Sequence, residues 1–170
     1  GVWAPSTGAC WSGSVVRRGE TIGRVGWDWQ GFHNRFNAMA AIAAVAHAGV
    51  PPEAAAEALA DFQGVKRRME LRGTVRGVTV YDDFAHHPTA SRTTIDGLRR
   101  KVGSARILAV LEPRSNTMKQ GVMKAALPGS VADADQVFVY TANLGWDAQA
   151  VFSPLGARAR CADEIAALVE

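Results

Sequence analysis

The chain of 170 residues is 48% hydrophobic and 21% charged with a formal net charge of +3, enough apolar material for a well-buried core and too balanced for disorder or membrane insertion. The longest apolar run, residues 38–46, stops at His47 short of a membrane span, no basic-then-apolar export pattern opens the chain, and Cys10 and Cys161 sit in no metal-ligand spacing, so a cytoplasmic protein is expected. The basic residues are scattered apart from Lys66-Arg67-Arg68 and Arg99-Arg100-Lys101, neither of them interleaved with aromatics, so anionic small substrates are expected rather than nucleic acid or a membrane.

Residues 1–32 are rich in Gly, Ser and Trp and hold two β-like pieces, 13–16 and 21–29, around the turn-prone Arg18-Gly19-Glu20. They read as the edge of a sheet whose remainder is absent. Residues 34–48 are alanine-rich, with Phe36, Met39, Ala40, Ala43 and Ala46 at the spacing of an amphipathic helix that Gly49 ends. Pro51-Pro52 opens a second helix over 53–62, with Glu53 at the positive end of its dipole.

Gly64 marks the expected boundary between a first domain, 1–63, and a second, 64–170, where the pattern turns to alternating strands and helices. Residues 69–74 and 77–81 predict a hairpin around Arg76-Gly77, followed by a helix over 88–101 and a continuous apolar strand, 107–111, of the kind buried on both faces of a parallel sheet. A helix over 118–126, a strand over 136–140 and a last helix over 162–169 complete the series. The fold class is therefore α/β with a Rossmann-like, mostly parallel open sheet, which collects ligands beyond the carboxyl ends of its strands. Two polar clusters, 82–87 and 112–117, directly follow predicted strands.

Four stretches carry chemistry. In Gly31-Phe32-His33-Asn34-Arg35-Phe36-Asn37, Asn34 either caps the helix or joins Asn37, three residues on, in offering amide groups to a planar ligand such as adenine. Gly64-Val65-Lys66-Arg67-Arg68-Met69-Glu70 is either a solvated linker or a place where an arginine fork meets phosphate or ribose. Tyr81-Asp82-Asp83-Phe84-Ala85-His86-His87-Pro88 holds too many polar groups for a mere turn, and Pro88 begins a helix whose amino end favours anions. Adjacent histidines rarely share one ion, so no metal is expected there. In Glu112-Pro113-Arg114-Ser115-Asn116-Thr117-Met118-Lys119 one of Ser115, Asn116 and Thr117 caps a helix, whereas Arg114 points to a carboxylate-bearing substrate. The tryptophans Trp3, Trp11, Trp27, Trp29 and Trp146 read as packing residues, and Cys161 as a buried small one.

Taken in order, these motifs resemble the Mur ligase family over essentially the whole chain. Gly-x-His-Asn-x-x-Asn at 31–37 resembles the adenine-contacting element late in the family's central domain, and Arg68 and Asp83 stand at the spacing of its nucleotide-contacting arginine and aspartate. Residues 82–90 and 112–119 are most similar to members that take a recycled tripeptide; those that add L-alanine resemble only the first of these stretches. The resemblance implies an ATP- and Mg2+-dependent enzyme of peptidoglycan recycling that joins L-alanyl-γ-D-glutamyl-meso-diaminopimelate to UDP-N-acetylmuramate through an acyl phosphate. It implies that 1–63 is a remnant of the central ATP-binding domain and that 64–170 is the acceptor-peptide domain, lacking its last strand and helix. On this reading Asn34, Asn37, Arg68 and Asp83 hold the adenosine end of ATP, His86 and His87 line the reaction centre or grip the peptide, and Arg114, Ser115 and Asn116 bind the peptide. The partners are the two substrates and the missing amino-terminal and central domains. A ligase for a single amino acid and a stand-alone nucleotide- or peptide-binding module are the alternatives.

No Gly-x-Gly-Lys-Ser/Thr loop occurs in these 170 residues, and the phosphate-binding and Mg2+-binding groups of the resemblance would lie outside them. A purified polypeptide of these residues is expected to release no phosphate from ATP and to ligate no peptide, which a phosphate-release assay checks; measured turnover would refute it.

Overall fold

The computed structural model describes residues 11–17, 19–27 and 32–169, and the chain divides into two compact units, Gly1–Val65 and Lys66–Glu170. Among the described residues no helix is long and apolar enough to cross a membrane.

In the first unit β1 (Trp11–Arg17) and β2 (Glu20–Trp27) form an antiparallel hairpin. Gly19, at φ 91°, supplies the left-handed residue of the turn. α1 (Phe32–His47) and α2 (Pro52–Ala58) cover it, burying Val15, Val25, Ala38, Ile42 and Ala56 together. α1 ends in a Schellman motif: Gly49, at φ 92°, donates to Ala46 O while Val50 N–H reaches back to Val45 O. Gly23 lies so close to α2 that a Cβ there would stand 2.9 Å from the Cβ of Ala56.

The sequence stripe on α1 is displaced. Ala38 and Ile42 are buried, whereas Phe36 is 67% exposed and Ala40 and Ala43 also face outward. A run of consecutive apolar residues has no polar face to set its phase, so the packing partner decides which side turns in. α2 is also shorter than expected, ending at Ala58 and passing into a 3-10 turn, Leu59–Asp61.

The second unit opens with β3 (Glu70–Val75) and β4 (Val78–Asp82), an antiparallel pair whose turn residues, Arg76 at φ 51° and Gly77 at φ 80°, have the two positive φ values of a type I′ hairpin. α3 (Pro88–Val102) follows, with Pro88 in its first turn and Gly103 at its C-cap. β5 (Leu108–Leu111), β6 (Gln136–Tyr140) and β7 (Ala159–Ala162) form a parallel sheet in the order β5-β6-β7. The connections carry α4 (Asn116–Lys119), α5 (Leu127–Ser130) and α6 (Ala148–Phe152), and α7 (Ile165–Val169) follows β7.

The core lies on one face of this sheet. Leu111, Val137 and Val139 pack with Ile95, Leu127 and Phe152, each such side chain contributing roughly 1.5–3 kcal/mol on burial. The other face is open at β5, where Leu108 is 47% and Val110 75% exposed, so the expectation of a strand buried on both faces does not hold for the described chain. The β3–β4 pair forms a separate sheet, which removes residues 82–87 from the parallel sheet while leaving them at a strand end.

Two further expectations change. The single helix over 118–126 is broken into α4 and a 3-10 turn, Lys124–Ala126. The last segment is a strand followed by a short helix, because residues 159–162 pair with β6. The break after α4 has a local cause: Gly121 sits at φ 75° under Trp146, whose Cδ1 would lie 2.8 Å from an added Cβ, and Trp146 Nε1–H donates to Met118 O at 2.8 Å. Gly121→Ala meets both the left-handed backbone and the indole. It is expected to lower stability by about 1–3 kcal/mol in urea unfolding.

Candidate functional site

Residues 82–87 leave β4 and lead into α3, and the carboxylate of Asp83 organises them. Its Oδ2 accepts the backbone N–H of Met69 at 2.8 Å, and its Oδ1 accepts the N–H of Ala85 at 2.7 Å and the hydroxyl of Thr94 on α3 at 3.2 Å. A carboxylate offers about four lone-pair positions, so the protein's own donors occupy most of this one.

The segment before β3 is held from several sides. Arg67 N–H donates to Glu70 Oε2 at 2.8 Å and Phe84 N–H donates to Arg67 O at 2.7 Å. The bonds Glu70 accepts from Arg67 N–H and the Arg72 guanidinium hold its carboxyl below the usual range. Arg67 and Met69 both have positive φ, 58° and 47°, a conformation that costs free energy in non-glycine residues and persists where surrounding bonds over-determine it. Arg67 Nε lies 3.4 Å from Asp82 Oδ2, while Arg68 has its guanidinium carbon 5.7 Å from the centre of the Phe84 ring. The acidic neighbour in this cluster thus pairs with Arg67, and Arg68 has no ion pair among the described residues.

His86 is exposed, with Nδ1 2.9 Å from Phe84 O. A carbonyl only accepts, so Nδ1 carries the hydrogen in this contact and Nε2 is the ring nitrogen it leaves unengaged. His87 is exposed at the N-cap of α3 and makes no side-chain capping bond. Among the described residues no group of three or more His, Cys, Asp or Glu side chains is placed to hold a metal.

Residues 112–119 leave the carboxyl end of β5. Pro113 is fully buried and Arg114 is exposed, without a hydrogen bond or ion pair among the described residues. Ser115 is the cap: its Oγ accepts Met118 N–H at 3.3 Å. Asn116 begins α4 with its side chain exposed. The segment is tied to the loop after β6, since Lys119 O accepts Gly145 N–H at 3.0 Å.

Asn34 and Asn37 lie in the first unit. α1 begins at Phe32, so Asn34 sits inside the first turn and does not cap it; it is half-buried and engaged in contacts, while Asn37 is exposed. Cys10, Trp3 and Trp29 lie outside the described residues. Cys161 is half-buried, and burial together with the charge of Asp147 pushes its thiol up. It lines a cavity of about 640 Å³ beyond the carboxyl ends of β6 and β7, with Asn143, Trp146, Asp147, Asp163 and Glu164. None of the residues singled out from the sequence as ligand-binding lines that cavity. The residues sequence reasoning missed are Phe84, on which Arg67, Arg68 and His86 converge, and Thr94, the third donor to Asp83; an aromatic between acids and histidines was the available signal for the first.

Asp83→Ala removes an acceptor from two backbone amides and is expected to cost about 2–4 kcal/mol in denaturant unfolding, with faster hydrogen exchange at Met69 and Ala85. Asp83→Asn, which keeps one carbonyl acceptor, is expected to fall between it and the wild type.

Comparison with known proteins adds a second line of observation. Residues 67–170 match the family model described as Mur ligase, glutamate ligase domain. The chain is 54% identical to the UDP-N-acetylmuramate–L-alanyl-gamma-D-glutamyl-meso-2,6-diaminoheptandioate ligase of Escherichia coli (strain K12) over 134 residues, 78% of this chain and 29% of that protein. It is 40% identical to the UDP-N-acetylmuramate–L-alanine ligase of Myxococcus xanthus (strain DK1622) over 126 residues, 74% of this chain and 26% of that one. Among solved structures, a murein peptide ligase from Psychrobacter arcticus 273-4 superposes with a TM-score of 0.64 at 38% identity, covering 94% of this chain and 36% of the other. The chain spans less than a third of the length of these curated relatives.

Proposed function

The chain belongs to the Mur ligase family, and from that premise we propose that it is the carboxy-terminal part of an ATP-dependent ligase that joins L-alanyl-γ-D-glutamyl-meso-diaminopimelate to UDP-N-acetylmuramate. The observation that carries this reading is Arg114, an exposed guanidinium without a partner among the described residues at the carboxyl end of β5, in a chain 54% identical to a relative named for that tripeptide and 40% identical to one named for L-alanine. An acidic peptide offers several carboxylates, and the arginine fork meets one of them with two parallel hydrogen bonds.

The chemistry follows from the bond to be made. A carboxylate is a poor acyl donor, so its oxygen would take the γ-phosphoryl group of ATP, with ADP leaving, to give an acyl phosphate. The peptide amine then forms the C–N bond as the C–O bond to phosphate breaks and the nitrogen loses a proton. Nε2 of His86, the ring nitrogen that the contact with Phe84 O leaves unengaged, is a group able to take that proton, and His87 beside it lines the same loop. Arg114 and Asn116, with the capped turn at Ser115, orient the peptide so that attack outruns hydrolysis of the acyl phosphate. Asn34 and Asn37 offer amide groups to adenine, and Arg68 and Asp83 serve the rest of the nucleotide. Mg2+ and the phosphate loop come from outside these residues, in the central domain of which residues 1–63 would be a part. ATP and UDP-sugar substrates place the reaction in the cytoplasm, in peptidoglycan recycling.

The test uses the full-length ligase. Phosphate release from ATP is expected to require both UDP-N-acetylmuramate and the tripeptide, and Arg114→Ala is expected to raise the KM for the tripeptide about 10- to 100-fold with the KM for ATP unchanged. Faster turnover with free L-alanine than with the tripeptide would replace this reading by the single-amino-acid one.

A further inference from the structure

We propose that Phe84 is a positioning residue whose ring and backbone hold Arg67 and Arg68 as a preformed cationic rim, with His86 against its edge, for the anionic part of the nucleotide. The inference rests on the ATP-dependent reading above and adds to it a residue that touches no reacting atom.

Phe84 is 47% exposed and belongs to no hydrophobic cluster among the described residues. Its ring is used another way. The guanidinium carbons of Arg67 and Arg68 lie 5.3 and 5.7 Å from its centre, within cation–π range, and the His86 ring meets it edge-on at 4.9 Å. Each guanidinium is drawn to the negative π face of the ring, a contact that leaves the in-plane N–H groups of Arg68 available to an acceptor. The backbone of the same residue closes the arrangement. Phe84 N–H donates to Arg67 O, its carbonyl accepts His86 Nδ1–H, and Asp83 holds Met69 N–H. Arg68 is thereby flanked by two left-handed residues in a segment fixed from both ends.

Charge then separates a binding role from a merely structural one. Asp82 sits near Arg67 at 3.4 Å, but no carboxylate among the described residues pairs with Arg68. A guanidinium held in place by a ring, with its donors uncommitted among the described residues, is arranged for an acceptor that arrives with the ligand, and a polyphosphate supplies several.

The experiment compares Phe84→Leu, which keeps apolar bulk and the backbone N–H but loses the π face, with Phe84→Tyr, which keeps the ring, in the full-length enzyme. Phe84→Leu is expected to raise the KM for ATP on the order of tenfold, more than it lowers kcat, with the KM for tripeptide and the Tm near wild type, and Phe84→Tyr to restore the KM for ATP. A lowered Tm with no selective change in the KM for ATP, or no change at all, overturns the proposal. A second readout does not depend on turnover. The Nε resonances of Arg67 and Arg68 are expected to be ring-current shifted in wild type and Phe84→Tyr, to lose that shift in Phe84→Leu, and to move on addition of inorganic tripolyphosphate. An enzyme that proves inactive with ATP while those resonances still respond removes the ligase reading alone; resonances that ignore tripolyphosphate remove the cationic rim.

Discussion

Two backbone amides and a hydroxyl from three separate stretches of chain all need an acceptor in one place, and the carboxylate of Asp83 is it. A partly buried N–H left without a partner costs far more than a typical hydrogen bond contributes, so this carboxylate couples the start of β3, the loop after β4 and the body of α3. The left-handed conformations at Arg67 and Met69 are tolerable because the same bonds hold them. Remove the acceptor and the strain has nothing to oppose it. The placement of Arg67, Arg68, Phe84 and His86 is thus a consequence of satisfying donors and not of burying apolar surface, which is why so polar a cluster stays in one arrangement while half-exposed.

The parallel sheet divides its labour between its two ends. At the amino ends of the strands, Arg99 donates to the carbonyls of Gly103, Ala105 and Asp133 and meets Asp135 at 2.6 Å, while Arg158 donates to the carbonyls of Ala132 and Ala134. Asp135 also accepts Ile107 N–H, and that bond with the Arg99 guanidinium holds its carboxyl below the usual range. Polar groups there are spent on one another. At the carboxyl ends the loops are differently occupied: Arg114 has no partner among the described residues, and the loops after β6 and β7 border a cavity. Ligand groups collect at that end in open α/β sheets because the chain leaves each strand there with its next helix still to come, which frees the loop from ladder bonds.

Under the proposed function these separate features share one chemical purpose. An amide bond made through an acyl phosphate needs an anionic cofactor gripped by cations, an acidic acceptor steered by an arginine, and a base for the proton of the amine. The second unit offers residue types for each: Arg67 and Arg68 before β3, His86 after β4 and Arg114 after β5. The chain spans under a third of its relatives, so the roles proposed for Arg68, His86 and Arg114 are to be tested in the full-length protein.

Local pattern alone determined a good deal about this protein. Arg76-Gly77 specified its hairpin turn, Pro88 the start of α3, the apolar run at 136–140 a central strand, and the order of polar motifs the family, because each depends on residues within a few positions of one another. What lay beyond it depended on partners distant in the chain. A run of alanines on α1 has no polar face to fix its phase, so the hairpin and α2 chose Ala38 and Ile42 over Phe36. The helix after β5 breaks at Gly121 because Trp146, bonded to Met118 28 positions away, occupies the space above it. Residues 159–162 are too short and mixed to announce a strand and become one only by pairing with β6. Asp83 carries a structural duty that no local pattern announced, because Met69 and Thr94, 14 and 11 positions away, supply donors to its oxygens. Periodicity and capping act along the chain, whereas the satisfaction of buried donors and the filling of space act across it, and only the folded chain brings those partners together.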